Sequence, residues 1–539
     1  MFQNPEQVLL IASVILFLSI FAGKAGYRFG LPALLLFLGV GMLFGSDGLG
    51  IQFSDPNVAQ FIGMLALSII LFSGGMDTKV AEVKPIASQG VVLATLGVLA
   101  TTFITGGFIY WLFGLFGKYV TLTFPESLLL AAVMSSTDSA SVFSILRSKG
   151  VYLKERLRPT LELESGSNDP MSYMLTVIGI GLVGAGETGN VAWNIFSQLT
   201  FGSIVGIVFA IVTILVLTRT NIVTDGLDTI FMIAAVLFCY AASEIVGGNQ
   251  YLSVYFMGII IGNSKIKNKN ILIPFFDGVT SLAQILIFFL LGLLSFPHRM
   301  PQIILPALAI VVILTLVARP IAVFAIMLPF KSSIKQCLLV SWAGLRGAAS
   351  SVFAIMVISS GANISYDLFH IVFMVSLFSV AIQGTLLPAA SKKLDMVDES
   401  ADVRKTFNDY QEESAITLMR MFIPEGHNWV NKMVREVNMP TGSLAIMIKR
   451  GKQTIVTRGD TVIHAGDNII LSVPSYEPAA NEKLEELHIE KGNEWCGKTI
   501  AELNLPPNEL IAMIIRGNEN LIPDGKTIIE EGDVVVTYK

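Results

Sequence analysis

Long apolar stretches, separated by short polar loops, fill the chain from its start to about residue 395. An α-helix needs ~20 mostly apolar residues to cross the hydrocarbon core of a bilayer. Thirteen candidate spans follow from this pattern, near 7–27, 31–46, 58–76, 87–116, 126–147, 160–184, 191–218, 228–247, 250–263, 273–296, 303–330, 335–358 and 365–391. The opening MFQNPEQ has no basic residue, so we expect the first span to be retained. The sequence therefore predicts an all-α polytopic membrane domain.

The charges are unevenly distributed. Only 14% of the 539 residues are charged, and charges become frequent only from Asp395 onward, whereas soluble domains carry ~25%. This change predicts a transmembrane domain over 1–395, a linker over 396–420 and a soluble tail. With the N-terminus outside, nearly all loop lysines and arginines fall on one side, and the other side holds only Lys118 and Arg299. Basic loops stay inside, so we expect a cytoplasmic tail.

One carboxylate stands alone inside a predicted span. Asp138 lies in AAVMSSTDSASVFSIL, where five of the seven positions 135–141 are Ser or Thr. A charge at mid-bilayer costs ~2.5–3.5 kcal/mol on insertion scales, which favours a functional role. Hydroxyl side chains compete for backbone hydrogen bonds, so we expect a broken helix that builds an ion site at mid-membrane. The alternative is a polar helix–helix contact held by Ser and Thr, which leaves the carboxylate unexplained.

A second polar run, LELESGSNDPMSYML, brings Glu164 and Asp169 into the next span. On a helix, Ser165 and Asp169 share one face, and Glu164 and Asn168 share the adjacent face. The first face offers oxygen ligands to a hard cation, and the second suits a structural partner. We expect that partner to be Arg346, in WAGLRGAASSVFA, because a buried arginine requires an acid. The alternative is that both acids merely face a polar seam between helices.

Four further charges in apolar surroundings are expected to be structural. Arg319, next to Pro320, is expected near the cytoplasmic end of its span, where its head group reaches the interface. Asp77, in LFSGGMDTK, is expected to face a loop, and Asp277 and Glu244 are expected at helix ends.

The motifs SSTD-S, ESGSNDP and GLRGA, in this order on a polytopic domain, resemble those of the monovalent cation:proton antiporter superfamily. The Asn168-Asp169 pair resembles the one found in the electroneutral branch of this superfamily. Within that branch, the sequence is most similar to bacterial potassium/proton antiporters of the cell-volume-regulation, NhaP-like group. This resemblance covers about residues 5–395. It implies an inverted-repeat fold in which two broken helices, holding Thr137-Asp138 and Arg346, cross in a bacterial inner membrane. It also implies a homodimer with elevator-type alternating access and a periplasmic N-terminus.

The resemblance also implies roles for individual residues. Asp169 would bind either a proton or the cation. Asp138, Ser165 and the Thr137 carbonyl would be further ligands of the cation. Asn168 would mark the electroneutral class, and Glu164 would form a structural ion pair with Arg346. Many relatives have LFEGG where this chain has LFSGG, so Ser73 would support the site only weakly and the choice among K⁺, Na⁺, Rb⁺ and Li⁺ stays open. The span at 273–296 has no lysine, which agrees with one proton per cation.

The tail contains a tandem repeat, in which residues 426–472 align with residues 492–538 without gaps. Each unit is predicted to form a short helix (Lys432–Val437 and Lys498–Leu503), followed by strands such as LAIMIKR and LIAMIIR. A Gly-Asp turn then leads into a final strand. The units, 421–475 and 485–539, resemble the C-terminal lobe of RCK (TrkA-C) domains, which regulate potassium channels and transporters.

The tail has no G-x-G-x-x-G motif, so a Rossmann-type nucleotide site is not expected. In relatives this lobe can bind a cyclic dinucleotide, and Arg450, Arg516 and His464 are candidates for an anionic ligand of that kind. The alternative is that these arginines are solvated or pair with acids. The linker is predicted to be a polar helix that transmits movements of the tail.

Together these features predict a secondary transporter that exchanges a monovalent cation for protons, with K⁺ favoured, regulated by its tail and without a resident cofactor or nucleic-acid partner. A Na⁺/H⁺ antiporter of the same fold is the alternative. A channel is disfavoured because no TVGYG-like filter occurs, and an enzyme because no HExxH or G-x-S-x-G occurs. Cys239, Cys337 and Cys496 lack metal-ligand spacing, so the only metal expected is the transported cation at Asp138 and Asp169.

Overall fold

The computed structural model describes residues 33–51, 55–115, 122–154, 156–184, 190–219, 227–264, 266, 269–362, 364, 366–397, 416–440, 443–450, 453–474, 484–489, 493, 495–503, 505, 510–516, 519–521 and 523–538, with a few positions between 13 and 21. Most of the predicted span near 7–27 and most of the predicted linker lie outside these ranges. The chain divides into two compact units, Met1–Asp402 and Val403–Lys539.

The first unit is helical throughout its described parts. Its helices are α1 Ala33–Phe44, α2 Pro56–Asp77, α3 Val80–Leu115, α4 Phe124–Val133, α5 Ser139–Ser148, α6 Leu157–Leu182, α7 Val191–Arg219, α8 Asp228–Ile245, α9 Gln250–Gly262, α10 Lys269–Leu294, α11 Pro297–Met327, α12 Ile334–Trp342, α13 Ala348–Ser359 and α14 Leu368–Lys393. By length and composition, α2, α3, α7, α8, α10, α11 and α14 can each cross a membrane. Helix α7 exposes large apolar side chains such as Ile204, Val208 and Ile211, as expected of a surface in contact with lipid.

Close backbone approach holds several of these helices together. Where α2 crosses α9, a Cβ on Gly258 would lie 2.3 Å from the carbonyl oxygen of Phe72, so only glycine fits. Small residues of this kind let membrane helices pack through their backbones. The surrounding core is apolar and contains buried rings such as Phe72, Phe276 and Tyr251.

Two chain passages that are each predicted as one span are divided by an unwound segment. Residues 134–138 separate α4 from α5, and residues 343–347 separate α12 from α13. The first break falls in the hydroxyl-rich run, and the second falls where Gly344 and Gly347 weaken the helix. The two breaks touch, because the Asp138 amide donates to the Leu345 carbonyl at 2.9 Å.

Among the described residues, three helices contain a π-helical turn, which was not expected from the sequence. The turns are Leu93–Gly97 in α3, Leu314–Ala318 in α11 and Ser379–Gly384 in α14. Such turns widen a helix locally and are frequent at functional sites. Here the second turn ends directly before Arg319, and the third contains two side chains that hold the break at 343–347, as described below.

The second unit contains two antiparallel four-stranded sheets. The strands are β1 Ile416–Phe422, β2 Leu444–Arg450, β3 Gln453–Val456, β4 Asn468–Pro474, β5 Leu484–His488, β6 Leu510–Arg516, β7 Glu519–Leu521 and β8 Val534–Tyr538. Their orders, β1-β4-β2-β3 and β5-β8-β6-β7, are the same in both repeats. Alternate residues of the strands, such as Ile448 and Ile469 in the first sheet and Ile514 and Val535 in the second, form the two small cores.

Two details of the tail differ from the sequence-based prediction. Strand β1 begins at Ile416, within the stretch assigned to a helical linker ending at residue 420. Each predicted short helix is a single 3-10 turn, Val434–Glu436 or Ile500–Glu502. Strand β1 was missed because it directly follows a highly charged stretch and gains its order by pairing along the whole of β4.

Candidate cation site

The first unwound segment is tied to helix α6 by hydroxyl groups. The Ser165 hydroxyl donates to the Thr137 carbonyl at 2.7 Å and accepts from the Ser139 amide at 2.9 Å. Ser165 thereby satisfies two backbone groups that a continuous helix would have paired internally. The Asn168 amide, one helical turn further on, donates to the Thr137 hydroxyl at 2.6 Å. The structure therefore brings Thr137, Ser165 and Asn168 together.

Asp138 ends the unwound segment and caps helix α5. Its carboxylate accepts from the Ser141 amide at 2.9 Å and from the Ser141 hydroxyl at 2.5 Å. A carboxylate at a helix N-terminus is stabilised by the helix dipole. A Cβ at Gly347 would lie 1.9 Å from the Asp138 carboxylate, so the backbone of the second break lies directly against it.

Asp169 lies in the middle of α6 and is 7% exposed. The Ser136 hydroxyl of the first break donates to its carboxylate. Pro170 follows within the same helix and has no amide proton, so it leaves a backbone carbonyl one turn earlier without its helical donor. Two acids and several hydroxyl and carbonyl oxygens thus converge on the first break, and oxygen atoms of this kind bind hard monovalent cations.

The predicted ion pair between Glu164 and Arg346 is not the pair that the structure contains. Glu164 contacts the Arg319 guanidinium, and both side chains are buried, at 1% and 3% exposure. Arg319 follows a π-helical turn, and Gly344 leaves room for it, because a Cβ there would lie 2.9 Å from Arg319 Nε. The expectation that Arg319 reaches the membrane interface was therefore wrong. One feature of the sequence did point to this second possibility, because Arg319 and Arg346 both lie in apolar runs and either could pair with Glu164.

Arg346 instead fixes the first break. Its guanidinium donates to the carbonyls of Ser135 and Ser136, at 2.6 and 2.5 Å. These carbonyls have lost their helical partners, and a charged donor replaces them. Arg346 was missed in this role because a sequence does not show which backbone carbonyls a break leaves unpaired.

The second break is held by the π-helical turn of α14. The Arg346 amide donates to the Ser379 hydroxyl at 3.0 Å, and that hydroxyl donates to Gln383 at 2.7 Å. The Gln383 side-chain amide donates to the Trp342 carbonyl at 3.3 Å, and the Trp342 ring nitrogen donates to the Gln383 carbonyl at 3.2 Å. Gln383 thus connects the two sides of the break, a role that the sequence analysis did not identify.

Four further side chains singled out in the sequence lie on α2, α8 and α10. Ser73 is buried on α2, one turn before the helix ends. Asp77 is the last residue of α2 and is exposed, and Glu244 is exposed at the end of α8. Asp277 is also exposed but lies within α10 rather than at its end.

The chain that leaves α14 is attached to the loop between α5 and α6. The Lys154 amide donates to the Met396 carbonyl at 2.9 Å, and Leu153 forms an antiparallel bridge with Val397. Asp395 pairs with Lys154 at 3.1 Å and with Lys335, at the start of α12, at 3.8 Å. Met396 is buried among side chains of α5 and α12. We call residues 394–397 the strap.

The candidate ligand arginines of the tail are paired with acids. Arg450 donates twice to Asp467, at 2.8 Å, and Arg516 donates twice to Asp533, at 2.9 and 2.8 Å. The repeat position of His464 is occupied by Glu530 in the second lobe, where it also binds Arg516. The His464 amide donates to Asp467. The alternative of pairing with acids therefore holds for both arginines, and Arg516 in particular has two acidic partners.

Comparison with known proteins identifies both parts of the chain. Residues 12–393 match the family described as sodium/hydrogen exchanger, transmembrane. Residues 418–477 and 484–536 match the TrkA-C domain. The chain is 32% identical over 471 residues to the K(+)/H(+) antiporter NhaP of Alkalimonas amylolytica, covering 86% of this chain and 80% of that protein. It is 34% identical over 466 residues to the K(+)/H(+) antiporter NhaP2 of Shewanella sp. (strain MR-4), covering 85% and 79%.

The helical unit also has a counterpart among solved structures. The sodium proton antiporter MjNhaP1 from Methanocaldococcus jannaschii, at pH 8, has a TM-score of 0.62 and 22% identity, and the match covers 72% of this chain and 98% of that one. At this identity the likeness establishes the fold, a helical membrane antiporter fold, beside a β-containing TrkA-C tail. The resemblance inferred from the motifs is thereby confirmed. The chain belongs to the sodium/hydrogen exchanger family.

Proposed function

We propose that this chain exchanges K⁺ for H⁺ across the bacterial inner membrane, one cation for one proton. Membership of a family of transporters supports cation/proton exchange rather than enzymatic activity. The names of the two relatives, both K(+)/H(+) antiporters, favour K⁺. Na⁺ is the alternative cargo, because the structural counterpart is a sodium proton antiporter.

The observation that carries this proposal is the convergence of Asp138 and Asp169 on two touching helix breaks. Asp169 is the carrier, because it is buried and its carboxylate can hold a proton or a cation, but not both. Asp138, Ser165 and the Thr137 carbonyl complete the cation site. Competition for one carboxylate, combined with alternating exposure to the two sides, is sufficient to couple the fluxes.

The remaining residues hold this site in place. Arg346 donates hydrogen bonds to the carbonyls of the first break, and Glu164 with Arg319 braces α6 against α11. A buried pair of this kind resists separation, because removing one partner leaves an uncompensated charge. Asn168 orients Thr137, and Ser73 plays at most a supporting role from α2.

The proposed assembly is a homodimer of chains with about thirteen spans, a periplasmic N-terminus and a cytoplasmic tail, working by elevator-type movement. The loop charges support the orientation, since lysine and arginine favour the cytoplasmic side. The tail regulates exchange through the strap, which touches the cytoplasmic ends of α5 and α12, one from each interrupted pair. A nucleotide that binds the tail lobes would act by this route, and the first lobe, where Arg450 has one acidic partner, is the better candidate for it.

Proteoliposomes with a preset pH gradient test the proposal. K⁺ should collapse the gradient in the wild-type protein, and Asp169→Asn should abolish this response because an amide exchanges neither ion. Asp77→Asn is the matched control, since Asp77 is an exposed acid at the end of α2. Comparing K⁺, Na⁺, Rb⁺ and Li⁺ identifies the cargo. Proton-coupled flux that survives in Asp169→Asn would refute the assignment of the carrier.

A further inference from the structure

Ser136 is the side chain of the first break that touches the carrier carboxylate. It is 2% exposed, and its hydroxyl donates to Asp169 Oδ1. In the sequence, Ser136 is distinguished only as one of several hydroxyl residues that weaken a helix. This hydroxyl therefore occupies the side of Asp169 that faces the break.

The backbone of Ser136 is fixed, which makes this contact directional. Its carbonyl accepts from the Arg346 guanidinium at 2.5 Å, and the next residue, Thr137, is held by Ser165 and Asn168. The side chain therefore points from an anchored segment rather than from a loose loop. Its neighbour Ser135 has a comparable burial, but its hydroxyl donates to the Ala132 carbonyl at 2.7 Å.

A hydroxyl can serve both states of a transport site. It carries one donor proton and two acceptor lone pairs, so it can stabilise an ionised carboxylate and can also coordinate a cation through its oxygen. Two oxygen atoms close enough to share a hydrogen bond are close enough to share one ion. The neighbouring Asp138 carboxylate accepts one hydrogen bond from Ser141 at each of its oxygens and keeps further lone pairs for an ion, and Ser136 would add a neutral oxygen on the Asp169 side of the site.

We propose that Ser136 is a further ligand of the transported cation, and that its hydroxyl exchanges the hydrogen bond to Asp169 for the ion during each cycle. This inference rests on the proposed exchange of a cation at Asp169. The other charged groups of the site are Asp138 on the same break, Glu164 on α6, Arg346 on the second break and Arg319 on α11. None of them is altered by a substitution at Ser136, so its effect on cation binding can be measured separately.

The test measures how the rate of pH-gradient collapse in proteoliposomes depends on K⁺ concentration. Ser136→Ala should raise the KM for K⁺ about ten-fold, the effect of losing one hydrogen-bond-strength ligand, with the maximal rate within about two-fold of wild type. Ser136→Cys should do the same, because it keeps the volume but offers a soft sulfur that hard cations avoid. Ser136→Thr keeps the oxygen and should retain a KM close to that of wild type.

The matched control is Ser172→Ala, which removes an equally buried hydroxyl on α6 that donates to the Ala132 carbonyl at 2.6 Å. An unchanged KM in Ser136→Ala and Ser136→Cys, or the same rise in Ser172→Ala, would overturn the inference. A loss confined to the maximal rate would also overturn it, because it would mean that Ser136 only positions the carboxylate. A wild-type protein without K⁺-dependent collapse would instead refute the proposed function itself.

Discussion

Gly347 has very little space around it where the two helix breaks touch. A Cβ at this position would overlap the Asp138 carboxylate, at 1.9 Å from Oδ2. We expect Gly347→Ala to displace Asp138 and to reduce cation-driven proton flux by at least ten-fold. Gly74→Ala is the control, because nothing lies within 4 Å of a Cβ there. Flux in Gly347→Ala close to that of the control would contradict the geometry of the crossing.

The buried ion pair between Glu164 and Arg319 leads to a second prediction for individual residues. Removing one member of a buried pair costs ~3–5 kcal/mol, so Glu164→Gln and Arg319→Met should each lower the unfolding temperature of the purified protein. The double variant should be less destabilised than the sum of the two, because neither charge is then left alone. Combining Glu164→Gln with Arg346→Met should give no comparable recovery. If the Glu164/Arg346 double variant recovered more stability than the Glu164/Arg319 double variant, Glu164 would pair with Arg346, as expected from the sequence.

Sequence reasoning was strongest where a residue is improbable in its surroundings. Asp138 and Asp169 stand out because acids are rare inside membrane spans. The sequence does not show in the same way which arginine pairs with Glu164, because the side chains of Arg319 and Arg346 are chemically equivalent partners. The choice depends on Gly344, which leaves room for Arg319, and on the carbonyls of Ser135 and Ser136, which engage Arg346.

At the scale of elements, the break between α4 and α5 was predictable from the sequence, whereas the π-helical turns were not. Five hydroxyl residues around Asp138 weaken a helix by a local mechanism, which a sequence displays directly. The turn Ser379–Gly384 depends on distant contacts, since Gln383 binds Trp342 across the helix break. The strap was also missed, because its order comes from pairing with residues 153–154 rather than from its own sequence.

The tail lobes allow a prediction about pH. Hydrogen bonds from Arg516 hold the pKa of Asp533 below its usual value. A lowered folded-state pKa adds stability above the unfolded pKa, near 4, and this contribution is lost as the pH falls through the folded-state pKa. At pH 7, Asp533→Asn should therefore weaken hydrogen-exchange protection of β6 and β8 by about 1–3 kcal/mol.

Below about pH 4 the difference between Asp533→Asn and wild type should shrink, because Asp533 of the unfolded wild-type chain is then protonated, and it should vanish once the pH falls below the lowered pKa of the folded state. Glu531→Gln is the control, since Glu531 is an exposed acid in the same lobe. Measurements on the full chain follow residues 510–516 and 534–538. A difference that stays constant between pH 7 and pH 3 would show that the Arg516–Asp533 pair does not stabilise this lobe.

At the scale of the whole molecule, the charges that accompany the cargo determine how exchange responds to the membrane potential. The charges of the described site are three acids, Asp138, Glu164 and Asp169, and two arginines, Arg319 and Arg346; all except the half-buried Asp138 are buried. If one cation replaces one proton at Asp169, this set carries the same net charge in both directions of the cycle. The membrane potential then does no work on the cycle.

A stoichiometry of two protons per cation would move one net charge per cycle. Each charge that crosses 100 mV is worth ~2.3 kcal/mol, which would bias the ratio of forward to reverse exchange by roughly fifty-fold. We therefore expect the rate of pH-gradient collapse to differ by less than two-fold between proteoliposomes held at zero and at about 100 mV by a permeant-anion gradient. A potential-sensitive dye verifies that the potential persists during the measurement. A rate that follows the potential would exclude one-for-one exchange and would require a further proton-carrying group besides Asp169.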